Sequence, residues 1–320
     1  MPFLRKESVL RISLIRGGIG NVASFAGGRA VGALCGVLAA VCYGANPLGA
    51  VSLYRLGYST GSVLLYRFGL AALLLMAFVV IRRVPLWPKR GDWSVVLSLG
   101  LLFAVSSLTF YDSFRVLDVG VACTLLFVYP ILTAIIMAVF FRERLTVATV
   151  VSTILAIAGI ACLSLGGGGA HRVSAFGLLL VGISALTYAV YIVVVNRSRI
   201  TLKVSAMTFW VLSFCWMGIA VWSLFVDGAS AFRLPQGTVA WTNAFFLAVV
   251  PTLLSLILMT YSSRLLGATP TAILGALEPL TAVAIGVLAL NEAFTLRLAA
   301  GLMLVLSAVV VVLVRQRPSS

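Results

Sequence analysis

The sequence predicts an all-α integral membrane protein: ten transmembrane helices arranged as two inverted five-helix repeats. Three observations carry that expectation. The chain is 62% hydrophobic and only 10% charged, with mean hydropathy +1.16, whereas a water-soluble domain carries roughly 25% charged residues. It supplies ten apolar runs of about 20 residues, the length that crosses a bilayer as a helix. Its signals also recur in the same order after the middle of the chain.

A basic N-terminal segment, residues 1–31, precedes the first run. It has no continuous apolar stretch and no cleavage site, so no removable signal peptide is expected. The first span, 32–51, opens with Gly32 and Gly36, a GxxxG pair that permits close helix contact. It carries Tyr43, Asn46 and Pro47 towards its far end. The second, 59–81, contains Arg67, and the third, 93–114, ends near Tyr111 and Asp112. The fourth, 119–141, holds Tyr129 and Pro130; the fifth is 145–165. A glycine-rich stretch, 166–173, reads as a flexible linker. The second repeat follows as spans 174–195, 204–226, 238–263, 268–290 and 294–314, with a tail at 315–320. Tyr188 and Tyr191 lie in the sixth span, Pro251 in the eighth, and Glu278 with Pro279 in the ninth.

The net charge of +15 is an orientation signal rather than a nucleic-acid footprint. With the N-terminus taken as cytoplasmic, 17 of the 23 Lys and Arg residues fall on that face, five on the other, and Arg67 within a helix. This is the positive-inside asymmetry. It puts both termini in the cytoplasm and the chain in the inner (plasma) membrane, with anionic lipids as neighbours.

The repeat shows in spacings. Pro130 and Glu143 are thirteen residues apart, as are Pro279 and Glu292, and Thr146 and Thr295 keep the same offset of 149. Tyr111 and Ser113 recur as Tyr261 and Ser263. Five spans per repeat is odd, so the second repeat enters from the opposite side and the halves are inverted, a plan suited to alternating access.

Only Arg67 and Glu278 put charge deep in the bilayer, where an ionisable residue is a functional pointer. Arg67 lies about eight residues into its span, roughly 12 Å, and Glu278 about ten, roughly 15 Å. They are expected to meet, directly or through a shared polar cavity; the alternatives are a static pair locking the halves, or Arg67 snorkelling outward. Tyr43, Asn46, Tyr111, Tyr129, Tyr188 and Tyr191 are further candidates to line it. Tyr129 is the repeat partner of Glu278, an asymmetry suited to a cargo with an amine at one end and an apolar body. Pro130 and Pro279 are expected to kink their helices beside the cavity. Asp112 and Asp118 read as solvated near the outer face. Glu143 and Glu292 read as favouring the positive N-terminal end of the helix each precedes. Proton coupling through Glu278 is an open possibility.

Several classes find no support. There is no phosphate-binding GxxxxGK[ST] loop for a nucleotide-driven motor. His171 is the only histidine, so neither a metal site nor a cofactor is expected. An integral-membrane lipid enzyme would need clustered acids or a nucleophile–base pair, and the eight acids stand singly. A lipid-precursor flippase remains an alternative.

The stretches "YRFGLAALLL", "YDSFRVLDVGVACTLLFVYPILTAIIMAVFFRERLT" and "LGALEPLTAVAIGVLALNEAFT" resemble the EamA-type branch of the drug/metabolite transporter superfamily. The resemblance implies ten helices in inverted five-helix repeats, a central substrate cavity, and export of small metabolites, often amino acids or related compounds. Where the family usually has Trp-Gly in the first span, this chain has Tyr43-Gly44.

Overall fold

Hydroxyl side chains start three of the helices. Ser59 accepts from the Ser62 amide, Ser174 from Gly177 and Thr295 from Leu298, each relieving one unpaired donor of a first turn. The structure is a computed structural model that describes residue 28, residues 30–142, 147–164, 174–198, 200, 202–266, 271, 274–275 and 277–315. Glu143, Thr146, His171 and the glycine linker lie outside the described residues.

The helices, in chain order, are α1 (Ala30–Arg55), α2 (Thr60–Ile81), α3 (Trp93–Ser113) and α4 (Val119–Phe141). Then come α5 (Val147–Ser164), α6 (Ala175–Arg197) and α7 (Val204–Val226). The last are α8 (Gly237–Ser262, its final helical piece running Ser255–Leu266), α9 (Leu277–Ala289) and α10 (Leu296–Arg315). Seven of these, α1 to α4 and α6 to α8, are long and apolar enough to cross a membrane among the described residues.

The ninth predicted span, 268–290, is not one continuous helix. Its helix α9 begins only at Leu277, after a turn at Gly275, and has 13 residues. At 1.5 Å per residue that is roughly 20 Å, short of a hydrocarbon core of about 30 Å. Pro279 explains the late start, because it has no amide to donate and is tolerated only in a first turn.

Two other helices are interrupted for the same reason. α1 breaks at Ala45 and restarts as Asn46–Arg55, with Pro47 in the new first turn. α4 breaks at Phe127–Val128 and restarts as Tyr129–Phe141, with Pro130 in that position. α8 passes through a π-helical turn, Val249–Leu254, containing Pro251. Breaks at bilayer depth leave carbonyls and amides unpaired, so they are tolerated only beside protein or a cavity.

α3 is sandwiched between α6 and α7; α2 packs on α7, α5 on α10, and the first piece of α4 on α9. Phe68, Ile131, Ile219 and Leu247 fill the interior. Leu73, Phe140, Phe225 and Leu296 face outwards, as lipid-facing apolar side chains do. Trp93 and Trp210 meet edge to face at 4.8 Å, and the Trp210 indole donates to the Leu86 carbonyl at 2.7 Å. That contact pins the loop between α2 and α3 onto α7.

Candidate functional site

The interrupted helices converge on one cavity of about 190 Å³. Its wall draws on α1 to α4 and on α6 to α9. α1 brings Tyr43 just before its break, α4 brings Tyr129 just after its own, and α9 brings Glu278 in its first turn. Close approach of α1 to α9 depends on Gly44. A Cβ there would stand 2.6 Å from the Glu278 carbonyl oxygen and 2.7 Å from Thr281 Cβ. A real Cβ does not fit so tightly, which accounts for glycine beside Tyr43.

Arg67 enters from α2 and is only 3% exposed. Its Nε donates to Thr252 Oγ1 at 2.9 Å. One terminal nitrogen donates to the Tyr111 hydroxyl, which in turn donates to Asn46 Oδ1 at 3.0 Å. The guanidinium also lies 5.0 Å from the Phe68 ring and 5.3 Å from the Tyr111 ring, a favourable cation–π arrangement. Thr252 reaches Arg67 from the π-helical turn of α8, while its own hydroxyl donates to the Leu247 carbonyl at 2.8 Å. Four helices therefore fix the position of one charge.

Glu278 lines the same cavity. Its carboxylate makes no hydrogen bond or ion pair among the described residues, and no direct Glu278–Arg67 ion pair forms. The two side chains line one cavity without touching. Both residues predicted to lie at bilayer depth line this one cavity.

One wall is aromatic. Tyr188 and Tyr191 stack at 5.8 Å with rings 5° apart. Tyr129 meets Tyr188 edge to face at 4.8 Å, and Phe103 lies 5.6 Å from Tyr191. Ser106 and Ser184 stitch α3 to α6 at the edge of this wall, with bonds of 2.8 and 3.1 Å.

Seven of the eight predicted site residues thus line one cavity: Glu278, Arg67, Tyr43, Tyr111, Tyr129, Tyr188 and Tyr191. Asn46 stands behind them, 2% exposed, as the acceptor for Tyr111. Pro130 and Pro279 start helical pieces rather than bending continuous helices. Sequence reasoning missed Thr252, Phe103, Ser106 and Ser184. Thr252 had a signal, since it follows Pro251, the proline singled out in the eighth span.

Two acids differ from expectation. Asp112 is half-buried and accepts the Thr60 hydroxyl rather than standing in solvent. Glu292 does not serve the helix it precedes. The chain turns at Asn291, which has a φ of 61°, and the Glu292 amide donates back to the Gly286 carbonyl at 2.9 Å. This aims the carboxylate at α4, where it accepts from the amides of Val119 at 2.6 Å and Gly120 at 3.1 Å. Thr295 caps α10 instead.

The chain is similar to several known proteins. It is 23% identical over 241 residues to the uncharacterized transporter YdfC of Bacillus subtilis (strain 168), covering 75% of this chain and 77% of that protein. A solved crystal structure of a protein matches it with a TM-score of 0.63 at 21% identity, over 90% of this chain and 99% of its own. At that identity the likeness shows the fold alone. The EamA-like transporter family matches twice, over residues 30–165 and again over 175–314. The chain therefore belongs to the EamA-like transporter family.

Proposed function

We propose that this membrane transporter is a secondary transporter of small organic metabolites, amino acids or related compounds among them. It works by alternating access of the central cavity to the two sides of the membrane. The observation that carries this reading is that one cavity takes its wall from both family-matched segments. Tyr43, Arg67 and Tyr129 come from the first, and Tyr188, Thr252 and Glu278 from the second. Inverted halves that exchange conformations would open such a cavity to alternate sides. Five spans in each half, as the sequence predicts, would give that inversion, and the basic-residue asymmetry supports cytoplasmic termini in the inner membrane. Export is the direction the family resemblance supports.

Glu278 is the group proposed to exchange a proton. The titratable groups facing its cavity are Arg67, Tyr43, Tyr111, Tyr129, Tyr188 and Tyr191. A counterflow screen in proteoliposomes, with amino acids and other metabolites at two pH values, tests the reading. Exchange of at least one solute is expected, and exchange of none would refute it.

A further inference from the structure

Two voids lie along α4. One is the central cavity, which α4 lines with Leu126 and Tyr129. The other is a polar cleft of about 530 Å³ at the start of α4, with Arg55, Arg115, Asp118, Asn291 and Glu292 in its wall. The two share no lining residue. The first piece of α4, Val119–Leu126, runs from one to the other: Val119 and Val121 line the cleft, and Leu126 lines the cavity. This piece packs on α9. Ala122 and Cys123 on α4 are buried, as are Ala282 and Val283 on α9. The approach is close at Gly120, where a Cβ would come within 3.2 Å of Val283 Cγ2. The seam between α4 and α9 therefore separates the cleft from the cavity.

Glu292 ties this seam at its cleft end. Its two carboxylate oxygens accept from the amides of Val119 and Gly120. The carboxylate fits between the helices because α9 has a glycine there: a Cβ on Gly286 would stand 2.2 Å from Glu292 Oε2. The bonds run from one family-matched segment to the other. A cap that served only the start of α4 could come from Asp118, the residue before the helix, which is a preferred capping type. Its side chain makes no capping bond. The amides are held instead by a residue 173 positions away, and such a bond joins two helices where a local cap would join none. Elsewhere, Tyr54 and Thr60 bond α1 and α2 to α3, and Ser62 and Tyr58 bond the start of α2 to the segment between α7 and α8. Glu292 supplies the link on the α4 side.

We propose that Glu292 is a gating residue: its carboxylate straps α4 to α9 at the cleft, and it must leave the α4 amides before the central cavity can open to that face. The assignment rests on the transport reading above and adds to it the contact that holds one face shut. Once released, the amides and the carboxylate meet water in the cleft, so letting go costs about two ordinary hydrogen bonds, or about 30-fold in the ratio of open to closed.

The test is the distance across the cleft in nanodiscs, by double electron–electron resonance between spin labels at Val116 and Ala293. Both side chains are exposed and both line the cleft, one from each family-matched segment. The five native cysteines are replaced for this measurement. Glu292→Ala is expected to raise the ratio of longer to shorter separations by about 30-fold. Gly286→Ala, which keeps the carboxylate and displaces it, should shift the ratio in the same direction and covers the case in which Glu292→Ala fails to fold. A second readout is Cys123, buried in the seam. In a chain keeping that cysteine alone, its reaction with a charged, water-soluble maleimide should quicken by a similar factor in either variant. A residue that only capped α4 would loosen the Val119 and Gly120 amides and move neither readout. An unchanged separation or an unchanged Cys123 rate, in a variant that folds, therefore overturns the gate. If it is overturned while proteoliposomes exchange a solute, transport stands without the strap. Exchange of no solute removes the transport reading, and the gate falls with it.

Discussion

Removing the Glu292 carboxylate should release the start of α4. The first amides of a helix have no acceptor within it, and those of Val119 and Gly120 are held by Glu292 at 2.6 and 3.1 Å. Hydrogen bonds to a charged group contribute about 1.5–3 kcal/mol each. Against them stands the burial of the carboxylate, which pushes its pKa above the ordinary carboxyl range. The two amides pull it back only in part, and the negative charge of Asp118 adds to the rise. A net upward shift means that desolvation outweighs the gain for the ionised form, so the two bonds count as bonds to an uncharged acceptor, about 0.5–1.5 kcal/mol each. A balance of about 2 kcal/mol remains, or about 30-fold in the opening of these amides. Hydrogen exchange of a peptide spanning Leu117–Leu126, corrected for intrinsic rates, should therefore show protection of Val119 and Gly120 falling by about that factor in Glu292→Ala. Unchanged exchange would refute the reasoning. The sign of the pH dependence follows from the raised pKa. The contribution of Glu292 to stability is full below the unfolded carboxyl pKa and is lost as pH rises through the folded value. Relative to Glu292→Gln, the wild-type chain should lose thermal stability over that window.

Gly44→Val should separate α1 from α9, because its Cβ would meet the Glu278 carbonyl oxygen at 2.6 Å. A loss of about 1–3 kcal/mol is expected for such overpacking, read as a lower melting temperature in detergent. Tyr111→Phe removes the hydroxyl that accepts from Arg67 and donates to Asn46. It leaves two buried polar groups short of a partner, at a cost of about 1–3 kcal/mol, and chemical denaturation should show the loss. Glu278→Gln should flatten the pH dependence of transport in proteoliposomes; an unchanged rate and pH profile would remove Glu278 from coupling.

The breaks in the helices were legible as prolines, and the charged pair was legible as the two ionisable residues at bilayer depth. What the sequence could not show was partnership. Arg67 is bonded to Thr252, which lies 185 residues away, on a π-helical turn with no periodic signal of its own. Glu292 reads as a helix-start residue from its neighbours, and it is one. The helix it serves lies 173 residues earlier, and only the reversal at Asn291 aims it there. Asp112 likewise looks solvated at the end of its span until Thr60 is brought against it. Local pattern gives the type of element and its breaks; side-chain partners depend on which helices pack together.

The network around Arg67 also sets where the molecule can bend. α1, α2, α3 and α8 share its hydrogen bonds, so a motion that parts any one of them from the rest must break a buried contact to a charge. Turns also interrupt α4 at Phe127–Val128 and precede α9 at Gly275. Those two helices carry Tyr129 and Glu278. The positive charge is thus held by hydrogen bonds shared among four helices, while Tyr129 and Glu278 each stand in the first turn after a break.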